Sequence, residues 1–529
     1  MSTTADAAAP VVIVGGGPVG LTTALELAHH GIRSTLVEPR VDVEHSRPRA
    51  KTTSARSMEL FRRLGAADEI RRRAALPVSW SHEVRFCTTA AGADITWIPD
   101  VLGLELEGSA LTSEAGQQVT QPVVEEALRA LIAADPLIET RYGGRAVAVE
   151  LSAGLPVVTV EDADGTAAAL SCEYVVGADG SRSVVRAALG AHYEGAPGGR
   201  PNVNVTFRSR QLGGLVPERT AVHHWVLNPS APGMIGPMGR DDVWFAISTG
   251  TGSIADDAEA AAIVRALVGA DIDVEVLATD PWQARLLLVD SYGTGRAYLV
   301  GDAAHQNPPW GGHGFNTGVG DAVNLAWKLA AVLNGWAPVE LLDSYESERR
   351  PVAQQTIDLA ARNMSVLSTE LSSPDLLADG VVGSAARAAA ADRIQATKRD
   401  EFHAHGLVLG YGYGPDAAAQ APSTREYIPI AAAGNRLPHG RNARGESLFD
   451  LLGAELTLLG RDDGRWRDAA ARRGIPLVIV DPVAHGFAKV ADDDLVLVRP
   501  DQHIAWRGAA SADPDVALDL AVHGFVAAS

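Results

Sequence analysis

Cysteine is almost missing from this sequence: Cys87 and Cys172 are the two in 529 residues. They form no Cys-x-x-Cys pair and join no metal-ligand cluster, so a disulfide scaffold, a zinc site and a dithiol redox centre are not expected. Long apolar runs are missing too. No stretch approaches the ~20 residues that span a bilayer, although 46% of residues are hydrophobic and mean hydropathy is +0.03. The opening residues, MSTTADAAAP, lack the basic stretch and apolar core of a secretory signal. Positive charge is short: 45 Lys and Arg stand against 65 Asp and Glu, a formal net charge of −20. Such a chain repels phosphate backbones, so nucleic acid is not an expected partner. Together these absences fit a chain of the reducing cytoplasm with no membrane partner. At about 100–200 residues per domain, the length allows two to four domains.

What is present starts at Pro10. Residues 10–14 are a β-branched run that reads as a buried parallel strand. Gly15, Gly17 and Gly20 follow in G-x-G-x-x-G spacing, with Pro18 between them. A helical pattern comes next, with Leu21, Ala24, Leu25 and Ala28 on one face and Gly31 as its stop. A second strand, residues 34–37, ends at Glu38. Gly15 permits the tight turn, Gly17 lets backbone approach a pyrophosphate, and Gly20 lets the helix pack near the strand. The free N–H groups of the helix start attract a diphosphate, and Glu38 stands where an acid binds ribose hydroxyls. The unit predicts dinucleotide binding and by itself does not separate FAD from NAD.

Two more runs share the form of a hydrophobic strand ending at an acid. One is Tyr174 to Arg186, containing Asp179 and Gly180. The other is Arg296 to Gly318, containing Asp302, His305, Pro309, Trp310, Gly311, Gly312, His313, Gly314, Phe315 and Asn316, and leading into a helix expected over 319–335. Asp302 can accept from a ribityl or ribose hydroxyl. The bare backbone before the helix can stabilise a reduced, anionic flavin ring.

This ordered set resembles the class A flavoprotein monooxygenases, the p-hydroxybenzoate hydroxylase group, over about residues 10–400. Within the group it is most similar to the larger phenol and aromatic polyketide hydroxylases, whose C-terminal end the run Leu497 to Gly508 resembles. The resemblance implies FAD as cofactor, NADH or NADPH as electron donor, O2 as co-substrate and a small aromatic substrate, phenolic or polycyclic. Oxygen insertion would proceed through a flavin C4a-hydroperoxide. It also implies roles by matching position. Glu38 would bind the adenosine ribose and Arg49 the diphosphate. Gln121 would lie near FAD, and Asp179 would serve FAD and the pyridine nucleotide. Asp302 would hold the ribityl chain, Pro309 would sit beside the flavin, and Gly314, Phe315 and Asn316 would contact its edge. The family follows the acid with Arg; here Pro39 intervenes before Arg40, which weakens any role for Arg40.

The expected fold is α/β. A Rossmann-like FAD-binding domain takes residues 1–80, 106–196 and 283–400. An antiparallel substrate sheet is inserted at 81–105 and 197–282. By resemblance, residues 401–529 form a thioredoxin-like α/β unit; it has no cysteine, and packing or a homodimer contact is its expected role. The catalytic candidates are Pro309, His313 and His224. His223 and His224 flank Trp225 in the expected substrate sheet, and either could serve as the base for a substrate hydroxyl or be an ordinary core or surface histidine. His305 reads better as a residue that fixes its loop. No metal is expected. Epoxidation or Baeyer–Villiger oxidation on the same fold, and a non-catalytic FAD-binding or substrate-sequestering protein, stay open as alternatives. The halogenase pattern W-x-W-x-I-P is not matched by Thr96-Trp97-Ile98-Pro99.

Overall fold

The computed structural model describes residues 9–47, 51–152, 154–366, 371–414 and 423–525. Its first sheet has six strands, in the order Gly293–Thr294, Ala297–Leu299, Tyr174–Gly177, Val11–Val14, Ser34–Glu38, Ile138–Tyr142. All neighbours run parallel except the short edge pair Gly293–Thr294 with Ala297–Leu299. Val11–Val14 lies between Ser34–Glu38 and Tyr174–Gly177, and each of these strands is buried along its length. That double burial explains the unbroken β-branched runs. The chain winds one way from Val11–Val14 to Ile138–Tyr142, then returns to the other side at Tyr174–Gly177. The order therefore reverses beside the first strand. In such sheets a crevice opens at that point, outside the carboxyl ends of the strands.

A second sheet has eight strands, ordered His305–Gln306, Glu275–Val289, Tyr193–Arg208, Val243–Thr249, Gly233–Pro237, His224–Val226, Val84–Cys87, Asp94–Ile98. It is antiparallel apart from His224–Val226 against Val84–Cys87. The two longest strands cross the expected boundaries at 196/197 and 282/283 without a break. Residues 195–201 are rich in glycine and proline. The ladder nonetheless runs on, with an irregularity between Pro197 and Pro201. A separate antiparallel sheet of three strands, from Arg145 to Ser171, flanks the first.

Residues beyond 430 build a four-stranded sheet, ordered Leu477–Val480, Leu456–Leu459, Asp494–Val498, Ile504–Ala509. Leu456–Leu459 is parallel to Leu477–Val480 and antiparallel to Asp494–Val498. Helix Arg465–Arg473 joins the parallel pair and helix Pro514–His523 follows the last strand, a thioredoxin-like order. Its core is shared with the first unit. Trp327, Ala331 and Trp336 pack with Leu456, Leu458 and Trp466. No helix among the described residues is long and apolar enough to cross a membrane.

Candidate active site

The crevice is built by glycines with different reasons to be glycine. A Cβ on Gly20 would lie 1.9 Å from the Gly15 carbonyl oxygen, and one on Gly15 would lie 2.3 Å from that of Ala178. Both are demanded by helix and strand packing. Gly17 has an ordinary φ of −73° and open space around its missing Cβ, so folding does not require it. It leaves backbone bare at the start of helix Pro18–His29, whose cap offers no side chain to the first N–H groups. Glu38 stands next to it. One carboxylate oxygen accepts from the Gly16 N–H at 2.6 Å, and the other accepts from the Arg40 backbone and Nε at 3.0 and 2.7 Å. Arg40 also reaches Glu125 at 3.1 Å, which accepts from Gln121 at 2.9 Å. Glu38 and Gln121 thus belong to one chain of contacts, with Arg40 as the bridge. Arg49 lies outside the described residues.

Asp179 closes the other side. Its Oδ2 accepts from the Val184 and Val185 N–H groups at 2.7 and 3.4 Å, while Oδ1 is buried with no hydrogen-bond partner among the described residues. Burial holds this carboxyl above its usual range, against the hydrogen bonds that lower it. Gly180 follows in the left-handed region at φ +73°. Asp302 is exposed on the turn Gly301–Ala303. Its carbonyl accepts from the Tyr193 hydroxyl, and Arg186 stacks 4.0 Å from the Tyr193 ring. Behind the turn, His305 meets Asp321 at 2.7 Å, Asp321 accepts from Gly301 N–H at 3.2 Å, and Arg349 donates to Asp321 at 2.8 Å. Burial alone would lower the His305 pKa; Asp321 outweighs it and the value is raised. His305 therefore fixes the turn from inside.

The loop after it leads to helix Gly314–Leu333, which starts five residues earlier than expected because its glycines read as loop. Pro309 and Gly312 are exposed, Phe315 is half-buried, and the missing Cβ of Gly314 faces open space. Asn316 is fully engaged by the chain. Its Oδ1 accepts from Ser54 N–H and Ser57 hydroxyl at 2.9 and 2.7 Å, and its Nδ2 donates to Thr52 and Gly312 carbonyls at 3.2 and 2.7 Å. His313 is buried against Gly311 with Nε2 unpartnered, and burial lowers its pKa to about 4. It is neutral at neutral pH.

The eight-stranded sheet faces this loop with one side. Val226, Ile235, Trp244 and Ala246 pack on the other side with helix Asp257–Val268. Alternate residues Trp225, Met234 and Phe245 point the opposite way. Trp225, Met234, Phe86, Phe402 and Trp310 share a cluster, and Trp282 lies 6.3 Å from Trp310, ring to ring. His223 sits 6.1 Å from Trp225 and 6.0 Å from Phe402. His224, expected as the catalytic candidate, is turned to the far side by strand alternation. It lies beside Arg85, and burial and that charge lower its pKa to about 3. His223 is the neighbour that shares the loop's side. Pro309 and His313 are brought together by the loop; His224 is not.

Residues 8–360 match the FAD binding domain family, and residues 431–527 match the family described as aromatic-ring hydroxylase, C-terminal. The chain belongs to the FAD-binding aromatic-ring hydroxylases. Among the relatives of this hydroxylase is the 4-methyl-5-nitrocatechol 5-monooxygenase of a Burkholderia species, 32% identical over 570 residues, which cover 98% of this chain and 97% of that one. RebC soaked with chromopyrrolic acid and holding 7-carboxy-K252c superposes at a TM-score of 0.87 with 32% identity, over 97% of this chain and 99% of its own. The flavin-dependent monooxygenase PieE in complex with FAD and substrate gives 0.87 with 29% identity, over 98% and 99%.

Sequence reading of this hydroxylase missed Tyr193 and Arg186, which hold the Asp302 turn, and Lys51, which crosses to the sheet. Arg186 lay inside a motif and could have been found there. Nothing in the sequence pairs Tyr193 with residue 302.

Proposed function

We propose that this protein is an FAD-dependent monooxygenase that places one atom of O2 into an aromatic substrate, with NADH or NADPH as electron donor. One observation carries the reading: an aromatic-lined face of the eight-stranded sheet stands over the bare backbone that opens helix Gly314–Leu333. The residues fit FAD. Asp179 offers a buried, unpartnered carboxylate oxygen, and Gly17 and Gly314 leave room that a Cβ would fill.

In this reading Gly15, Gly17, Pro18 and Gly20 seat the diphosphate, a role the family resemblance also gives to Arg49. Glu38 and Gln121 take the adenosine end, Asp179 and Gly180 the middle, and Asp302 the ribityl chain. Pro309, Gly312, Gly314, Phe315 and Asn316 frame the ring. Bound FAD supplies the oxygen-activating chemistry. The chain's own part is to orient and to exclude water. The helix start favours negative charge at the ring edge. Trp225, Trp310, Phe86 and Phe402 form an apolar wall that keeps water from the reacting centre. His313, neutral and lacking a partner on Nε2, can accept or donate one hydrogen bond from beneath the loop. The C-terminal unit holds no cysteine, so it supplies no thiol redox chemistry.

The test uses purified holoenzyme, NADPH or NADH, a panel of fused-ring phenols and isotopically heavy O2. The expected result is yellow protein, aromatic-stimulated nicotinamide oxidation and one heavy oxygen atom in the product. Protein that takes up no flavin defeats the reading outright. Flavin-loaded protein whose product carries no heavy oxygen defeats the monooxygenase assignment.

A further inference from the structure

Lys51 differs from the other inward-pointing cations of this molecule. Lys328, Lys398, Arg349, Arg436 and Arg499 each hold a carboxylate. Among the described residues, Lys51 has none within ion-pair distance, and burial with no charged partner lowers its amine to about 7. Its backbone belongs to the flavin loop's surroundings: the next residue, Thr52, lies 4.0 Å from the place of a Gly312 Cβ and accepts from Asn316. Its side chain leaves that region and crosses to the sheet. Nζ donates to the Val222 carbonyl at 2.5 Å and stands 5.0 Å from the centre of the Phe245 ring.

Gly236 makes the recess. A Cβ there would lie 2.8 Å from Phe245, 3.0 Å from the His223 Cβ and 3.0 Å from the Val222 carbonyl oxygen. The surroundings are donors and rings. The indole N–H groups of Trp225 and Trp310 and the Nε2 of His223 are buried without partners. Burial and the Lys51 charge keep His223 uncharged. An ammonium removed from water without a counter-ion is costly, and the described residues supply none. The residue keeps a small exposed part, which leaves it able to meet one from outside.

We propose that Lys51 binds an ionised oxygen of the aromatic substrate, a carboxylate or a phenolate, and thereby selects acidic aromatics over neutral ones. This rests on reading the Trp225 and Phe245 face as the substrate wall. A single charge-assisted hydrogen bond in a site shielded from water is worth about tenfold or more in affinity.

The experiment titrates wild-type, Lys51→Gln and Lys51→Arg holoenzymes with a hydroxynaphthoate and the matching hydroxynaphthamide. Binding is followed by the change in flavin absorbance and by calorimetry, and flavin content is measured in each variant. Lys51→Gln keeps a donor for the Val222 carbonyl, and Lys51→Arg keeps the charge. Wild type is expected to bind the acid about tenfold or more tighter than the amide. Lys51→Gln should abolish that preference with the amide unchanged, and Lys51→Arg should keep most of it. Wild type with no preference for the acid, or Lys51→Gln with the preference intact, overturns the proposal. Lost flavin content in Lys51→Gln with an undiminished acid preference would give Lys51 to the cofactor and overturn it too. None of these results touches the monooxygenase reading, which falls only with flavin uptake or oxygen incorporation.

Discussion

A methyl group at Gly17 would meet no protein atom within 4 Å, whereas one at Gly20 would lie 1.9 Å from the Gly15 carbonyl oxygen. The two positions therefore separate binding from folding. Gly17→Val is expected to leave the stability of the flavin-free protein within about 0.5 kcal/mol and to lower flavin affinity by about tenfold or more, since it fills the approach to the diphosphate. Gly20→Val should destabilise by about 1–3 kcal/mol, because the helix must move off the strand. Urea unfolding without flavin and flavin titration of the same preparations read both; equal unfolding midpoints for Gly20→Val and wild type would contradict the packing account. These glycines were legible because spacing alone placed them. The choice between His223 and His224 was not. Adjacent strand residues face opposite ways, so the answer depends on a register that neither residue encodes. Lys51 was equally silent, since an amine in a polar run gives no sign that it turns inward.

The turn Gly301–Ala303 is held by helix Gly314–Leu333 through Asp321 and by helix Ser344–Val366 through Arg349. Against burial, this set holds His305 toward its charged form, Asp321 above all. The folded pKa of His305 is raised from 6.5. The resulting stability is fully present below about pH 6.5 and is lost as pH rises through the folded value. His305→Gln should therefore cost about 1–3 kcal/mol at pH 5.5, with the gap to wild type closing in alkaline buffer. Denaturation at pH 5.5, 7 and 9 checks it, and a gap constant across that range would remove the charge from the account. At the helix joint, a Cβ on Gly318 would lie 2.7 Å from Val19 and 2.9 Å from the Gly301 Cα. Gly318→Ala is expected to cost about 1–3 kcal/mol and to lower flavin content as the turn shifts; full flavin occupancy would show that the joint and the site are independent. The strands and helices of the first unit were largely readable, because a doubly buried strand and a one-sided helix have different apolar periods. The long strand Tyr193–Arg208 was not, because Gly195, Pro197, Gly198, Gly199 and Pro201 carry the signs of a break that its partner strand overrides.

Across the molecule, the C-terminal unit is joined to the flavin-binding core by buried charge. Arg499 donates twice to Glu348 at 2.7 Å and twice to Asp501, at 2.6 and 3.2 Å. Lys328 and Asn324 donate to Glu348 at 2.8 and 2.7 Å. Arg436 and Arg56 hold Glu59, and Arg56 also reaches the Asp501 carbonyl at 2.8 Å. Burial would raise the Glu348 pKa, but Arg499 and Lys328 outweigh it and lower it from 4.5 to about 2. That contribution is present above about pH 4.5 and is lost as pH falls toward 2. Glu348→Gln leaves two cations facing a neutral amide, and a loss of about 3–5 kcal/mol is expected at pH 7, with a shallower fall in stability on acidification than wild type. Parallel acid slopes for the two proteins would place the proton elsewhere. Three of the four strands of this unit are legible as apolar runs, but not Ile504–Ala509 and not its seam: the run from Arg499 to His503 matched a pattern, and only its insertion against helices Ala55–Arg62 and Ser344–Val366 shows what the pattern is for. The other joint is made of backbone. Strand Tyr193–Arg208, sixteen residues and roughly 50 Å end to end, pairs with Glu275–Val289, which in turn pairs with His305–Gln306 beside the Asp302 turn. It acts as a lever. A tilt of about one degree at its base carries the distant end by about 1 Å, so a change beside the turn reshapes from afar the face proposed as the substrate wall, and regioselectivity is expected to respond to residues that no substrate touches.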